Sequence, residues 1–133
     1  DTHVVLCSLY GPHDWTAGVL PEPQYRNAVL DIHLYTVWSG FSTEQQYYDE
    51  AAAWAGEIRA LTPYYPVVVG EMSLATALQP YSQEQRSRFA EAEFNSFENN
   101  AFGFVFWSDK LGYESEDWSF EGGYSYIKQY YAV

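Results

Sequence analysis

The chain has 133 residues, 47% of them apolar and 18% charged, the size and balance of one small domain with a core of its own. Its 18 acidic against 6 basic residues give a formal charge of -12, which repels phosphate backbones and anionic lipid, so neither nucleic acid nor a membrane is expected as a partner. No apolar stretch nears the roughly 20 residues of a membrane span, and a single cysteine, Cys7, allows neither an internal disulfide nor a thiolate zinc cluster.

In chain order, the opening DTHVVL has neither a charged n-region nor an apolar h-region; no signal peptide is expected in it, and a processed or truncated start fits equally. HVVLCSLY (3–10) reads as a first strand, and 11–27, with Gly11, Pro12, Gly18, Pro21 and Pro23, as loop with a short helical turn. AVLDIHLY (28–35), PVVVGE (66–71) and FGFVFW (102–107) read as three more strands, each a near-continuous apolar run of the kind covered on both faces. Between the second and third, Ser42 and Gln45 form a capping box, and Ala51, Ala55 and Ile58 keep a helical period. Between the third and fourth, Ser82 and Gln85 repeat the box, and Ala90, Phe94 and Phe97 make the stripe. GGYSYIKQYYAV predicts a closing helix.

Strands alternating with helices predict βαβ units and a parallel sheet, an α/β fold. Four such units make half of a (β/α)8 TIM barrel, which typically needs about 250 residues; a small open doubly wound sheet has the same pattern. GEMSLA and EGGY fit no phosphate-binding glycine fingerprint, which removes the nucleotide-binding form of that alternative. Function in parallel α/β folds gathers where strands end, and those ends carry Tyr10, His33, Tyr35, Glu71 and Trp107. The apolar run before Glu71 anchors it and points it into a cleft. Tyr, Phe and Trp make up 20% of the chain, and their faces suit sugar rings as well as cores. No HxxxHD-like spacing occurs, so no metal or cofactor is expected, and His3 and His13 read as structural or surface residues.

VVVGEMS (67–73) resembles the seventh-strand signature of glycoside hydrolase family 5, and LDIHLYTVWSG (30–40) its sixth-strand His-x-Tyr element. FAEAEFNSFENNAFGFVFWSDK (89–110) followed by EDWSF (116–120) resembles the eighth-strand region of its fungal-type exo-β-1,3-glucanases. The three stand in the family's order. The resemblance implies that residues 1–133 are one (β/α)4 unit, the C-terminal half of such a catalytic domain. It implies a retaining glycoside hydrolase acting on β-glucan oligosaccharide or polysaccharide, β-1,3-linked by preference, secreted or attached to a cell wall. Residue by residue, it makes Glu71 the nucleophile, and has His33 and Tyr35 hydrogen-bond in the sugar subsite with Tyr35 orienting Glu71. Trp107 becomes the platform beneath the sugar and Trp38 an aromatic at the cleft entrance; beside these, Tyr10, from its strand-end position, and Asp109 are read as further substrate-binding positions.

Departures from that pattern are equally specific. The family's acid/base lies in an Asn-Glu-Pro motif after its fourth strand; none occurs here, and the PEP at 21–23 sits in the wrong element. The chain therefore reads as starting at the fifth strand, to be completed by a complementary N-terminal half-barrel or by a second copy in a homodimer, with Asp109, Glu114 or Glu116 as a substitute acid. Asp109 stands where the fungal-type enzymes carry a second Trp, which bears on the outer subsites. A catalytically incomplete half-barrel that binds carbohydrate or serves as an assembly unit is the alternative function, and an unrelated small α/β domain is the third reading.

Overall fold

A computed structural model describes residues 4–8, 27–113 and 115–131. The elements run β1 (Val4–Ser8), β2 (Ala28–Leu34), α1 (Glu44–Leu61), β3 (Val67–Met72), α2 (Gln83–Glu98), β4 (Gly103–Phe106) and α3 (Phe120–Tyr131). All strands are parallel, in the spatial order β1-β2-β3-β4. This is the predicted α/β half-barrel unit. Tyr10, His3, His13, Glu114 and the Pro-containing segment 11–26 lie outside the described residues.

The core forms where the sheet's outer face meets α1 and α2. Leu30, Ile32, Val67, Val69 and Met72 from the strands are buried there with Tyr47, Trp54 and Ile58 of α1 and Phe89, Phe94 and Phe97 of α2. Trp54 stacks on Phe97 with ring centroids 5.7 Å apart, and the buried Ser96 hydroxyl donates to the Ala51 carbonyl at 2.6 Å, so the two helices are locked by a ring pair and one polar pin. The α2 stripe of Ala90, Phe94 and Phe97 is as predicted. The α1 stripe is Tyr47, Ala51, Trp54, Ile58 and Leu61; Ala55 is only partly buried, because Trp54 takes the core position beside it.

Capping holds at one helix and shifts at the other. Ser82 Oγ accepts from the Gln85 backbone N–H at 3.2 Å while Gln85 Oε1 accepts from the Ser82 N–H at 2.8 Å, a reciprocal box. At α1 the box is Thr43 with Gln46, not Ser42 with Gln45: Thr43 is the extended N-cap residue, and Gln46 Oε1 accepts from its N–H at 3.1 Å.

Among the described residues the strands are covered mainly on one face. In β2, Ala28, Leu30, Ile32 and Leu34 are buried and Val29, Asp31 and His33 between them are not fully so, the alternation of a strand with one covered face. On the open face Val5 and Val105 are 62% and 54% exposed. The apolar composition misled because β-branched residues occupy both faces.

Glu93, on α2, is fully buried, and neither of its carboxylate oxygens has a hydrogen-bond partner among the described residues. Burial holds its pKa well above the ordinary carboxylate value, so the folded chain keeps it protonated. A raised folded pKa contributes stability that is complete below the unfolded value of about 4.3 and is lost as pH rises above it. Glu93→Gln should therefore gain stability over the parent as pH climbs from about 4 to 8; urea melts at both pH values check this, and a pH-independent difference would contradict a buried neutral acid.

Candidate active site

The site is built by one irregularity in the sheet. Along β3, Val67 and Val69 face the helices, and simple alternation would send residue 71 the same way. Instead Ile32 pairs with Val69 while His33 pairs with Glu71, so Gly70 is an extra residue, a β-bulge. After it Met72 is the buried residue and Glu71 turns to the open face. A Cβ built at Gly70 lies 1.9 Å from Asp31 Oδ1, so any side chain there would have to displace the Asp31 carboxylate.

Glu71 meets two predicted partners. Tyr35 donates its phenol hydrogen to Glu71 Oε2 at 2.8 Å, and His33 Nδ1 lies 3.3 Å from the same oxygen. Burial first, then the hydrogen bond into Glu71, push the Tyr35 pKa well above that of a free phenol, so it remains a donor throughout the neutral range. Glu71 and His33 are each about a quarter exposed, accessible from the open face yet partly shielded from water.

An aromatic rim adjoins this pair. Trp38 packs edge-on to Tyr35 with centroids 5.3 Å apart, and Trp118 lies 5.6 Å from Tyr35 and 5.9 Å from Trp38. Trp38 is 74% exposed, and Gly40, at φ +71°, turns the chain after it toward α1. Trp107 directly follows β4, and its backbone N–H donates to the Met72 carbonyl at 2.7 Å, one residue past Glu71; its indole is 48% exposed. Asp109 is exposed on the loop beyond, in a hollow shared with Lys110, Phe120, Glu121 and Tyr124.

The loop carrying Trp118 is clamped. Arg86 of α2 donates through Nε to Asp117 at 2.5 Å, lies 3.3 Å from Glu116, and donates to the Tyr81 carbonyl at 2.9 Å. Leu74 N–H donates to the Asp117 carbonyl at 3.0 Å, and Ser108 and Trp118 join through a 2.7 Å backbone bond. Glu116 is thus held by Arg86 and by the Tyr126 hydroxyl at 3.2 Å.

Sequence reasoning missed three contributors: Asp31, Cys7 and Trp118. His33 Nε2 lies 3.4 Å from Asp31 Oδ2 and 3.4 Å from Cys7 Sγ. The signal was available, because residues 31 and 33 share a strand face. Trp118 lay within a quoted motif, EDWSF, but nothing local shows that its loop folds back onto Tyr35.

No protein-family model and no curated protein matches the sequence. Among solved structures, the rutinosidase from Aspergillus niger aligns with a TM-score of 0.61 at 21% identity, over 90% of this chain and 33% of that one. The structure of AoRut aligns with a TM-score of 0.53 at 22% identity, over 90% of this chain and 32% of that one. The chain thus spans about a third of the length of the structures it matches, and the likeness shows a fold, part of a (β/α)8 barrel. No helix among the described residues is long and apolar enough to cross a membrane.

Gly70→Ala should cost about 1–3 kcal/mol, the range of an overpacked interior site. Because the clash is with Asp31, Asp31→Ala should relieve part of it, giving a coupling of about 0.5–3 kcal/mol in a double-mutant cycle read by urea denaturation. Additive costs would mean that the close approach does not set the bulge.

Proposed function

We propose that this chain is the nucleophile-bearing C-terminal half of a retaining β-glycosidase, with Glu71 as nucleophile. The observation that carries the reading is the 2.8 Å Tyr35–Glu71 hydrogen bond at the carboxyl end of a parallel sheet, beside an exposed aromatic rim. The solved rutinosidase supports it at the level of a glycosidase-like fold. In the first step a Glu71 oxygen attacks the anomeric carbon as the glycosidic C–O bond breaks, and an acid protonates the departing oxygen. Tyr35 holds the carboxylate in line and favours its charged form. His33 braces the same oxygen and reaches the sugar subsite, while Trp107 and Trp38 offer indole faces to the C–H faces of the sugar. The acid/base, required roughly 5 Å from the nucleophile, comes from a segment outside this half. The motifs around Glu71 and Trp107 favour a β-1,3-glucan as substrate; a rutinoside is the second class, favoured by the solved rutinosidase.

A 2-deoxy-2-fluoro glucosyl fluoride tests the nucleophile without the missing acid, because fluoride departs unprotonated. Mass spectrometry should find one fluoroglucosyl group on Glu71 and none on Glu71→Gln. Where the site is completed, that variant should lose hydrolysis by on the order of a thousandfold or more with stability unchanged. A label elsewhere, or activity within tenfold of the parent, would end the assignment.

The same reading includes completion of the sheet. Among the described residues β1 and β4 are edges, and Val5 and Val105 leave apolar area on the open face, two liabilities that closure removes. A complementary half-barrel would close it; the chain alone is expected to pair with a second copy around a two-fold axis. Sedimentation at micromolar concentration should show a dimer, and a well-folded monomer would defeat self-pairing.

A further inference from the structure

We propose that Cys7, Asp31 and His33 form a binding site for a divalent cation of Zn2+ type on the open face of the sheet. The site shares His33 with the glycosidase reading but is argued from geometry that does not need that reading. Cys7 and Asp31 are register partners on β1 and β2, and His33 follows two residues on, so the parallel pairing puts all three side chains on one face. Their donor atoms all lie within 4.8 Å of one another, with Cys7 Sγ and Asp31 Oδ2 each 3.4 Å from His33 Nε2. Tetrahedral zinc, with bonds of about 2.3 Å to sulfur and about 2.0–2.2 Å to nitrogen and oxygen, sets its donors roughly 3.3–3.6 Å apart. Both contacts at His33 already have that spacing.

Two further features point to a ligand. Asp31 Oδ1 is buried with no hydrogen-bond partner among the described residues, and it lies against Gly70 in the space a Cβ would take. A buried unpaired carboxylate oxygen calls for a compensating charge. On the other side of the imidazole, His33 Nδ1 faces Glu71 Oε2 at 3.3 Å. A hydrogen on Nδ1 donated to Glu71 leaves the Nε2 lone pair aimed at Cys7 and Asp31, the carboxylate–histidine–metal arrangement that fixes a ligand's tautomer and strengthens its basicity. Binding displaces the thiol proton to solvent, and thiolate plus carboxylate neutralise the two positive charges. The exposure of Cys7 leaves a fourth position for water. The donor set of one sulfur, one nitrogen and one oxygen suits Zn2+ over Mg2+ or Ca2+, which take oxygen.

Co2+ is the probe, since a thiolate–cobalt bond gives a near-ultraviolet charge-transfer band. Titration of the chain should produce that band together with intense tetrahedral visible bands, and Zn2+ should abolish both by competition. Cys7→Ser should lose the charge-transfer band, and Cys7→Ser and Asp31→Asn should each weaken Zn2+ binding more than tenfold, with circular dichroism unchanged. Zn2+ should also slow alkylation of Cys7 in the parent and not in Asp31→Asn. Co2+ bound without the band, Zn2+ affinity in Cys7→Ser within threefold of the parent, or no binding at millimolar metal would overturn the site. None of these readouts depends on sugar cleavage, so their failure leaves the role of Glu71 untouched.

Discussion

The approach of Asp31 to Gly70 is the constraint on which the site depends. A carboxylate from β2 occupies the space of a β3 side chain at the place where the ladder admits one unpaired residue. That residue reverses the facing of everything after it. Met72 drops into the core and Glu71 turns toward solvent, although the strand's earlier valines face the helices. The core and the site are thus two outcomes of one backbone event: burial of Val67, Val69 and Met72 fixes β3, and the bulge decides which side the carboxylate takes.

His33 shows how much is packed into that face. Its ring stands between Asp31 and Glu71 with Cys7 beside it, so one imidazole faces two carboxylates and a thiol. Both ring nitrogens are engaged, Nδ1 toward Glu71 and Nε2 toward Asp31 and Cys7. On the other side of Glu71, burial and the bond to the carboxylate keep the Tyr35 phenol protonated. Glu71 thus stands between an imidazole and a fixed phenol donor.

Much of the fold was legible because the relevant signals are local. The four apolar runs, the box at Ser82 and the stripe of Ala90, Phe94 and Phe97 rest on spacing within a few residues. Capping at α1 slipped by one residue because Ser42 and Thr43 offer adjacent hydroxyls and Gln45 and Gln46 adjacent amides, so the two boxes look alike in sequence. The open face was misread because valine suits either side of a strand. In the site, the carboxyl-end rule and the family-like motifs reached Glu71, His33, Tyr35 and Trp38, which the fold brings together. Cys7 and Trp118 were not reached, since one depends on inter-strand register and the other on a loop returned by the distant Arg86 clamp; Asp31 was within reach from the face it shares with His33.

Spatial order that equals chain order has a consequence for how such a unit is made and enlarged. Among the described residues each strand after the first is laid beside the one just before it, and none is inserted between earlier neighbours. The strand ladders are therefore nearest-neighbour in kind, as in stacked solenoid repeats, while Trp118, packed on Tyr35 and Trp38, ties non-adjacent units together at the rim. Such a sheet can form vectorially, each increment templated by a finished edge. A duplication or fusion can then extend it at either margin without undoing a single existing ladder.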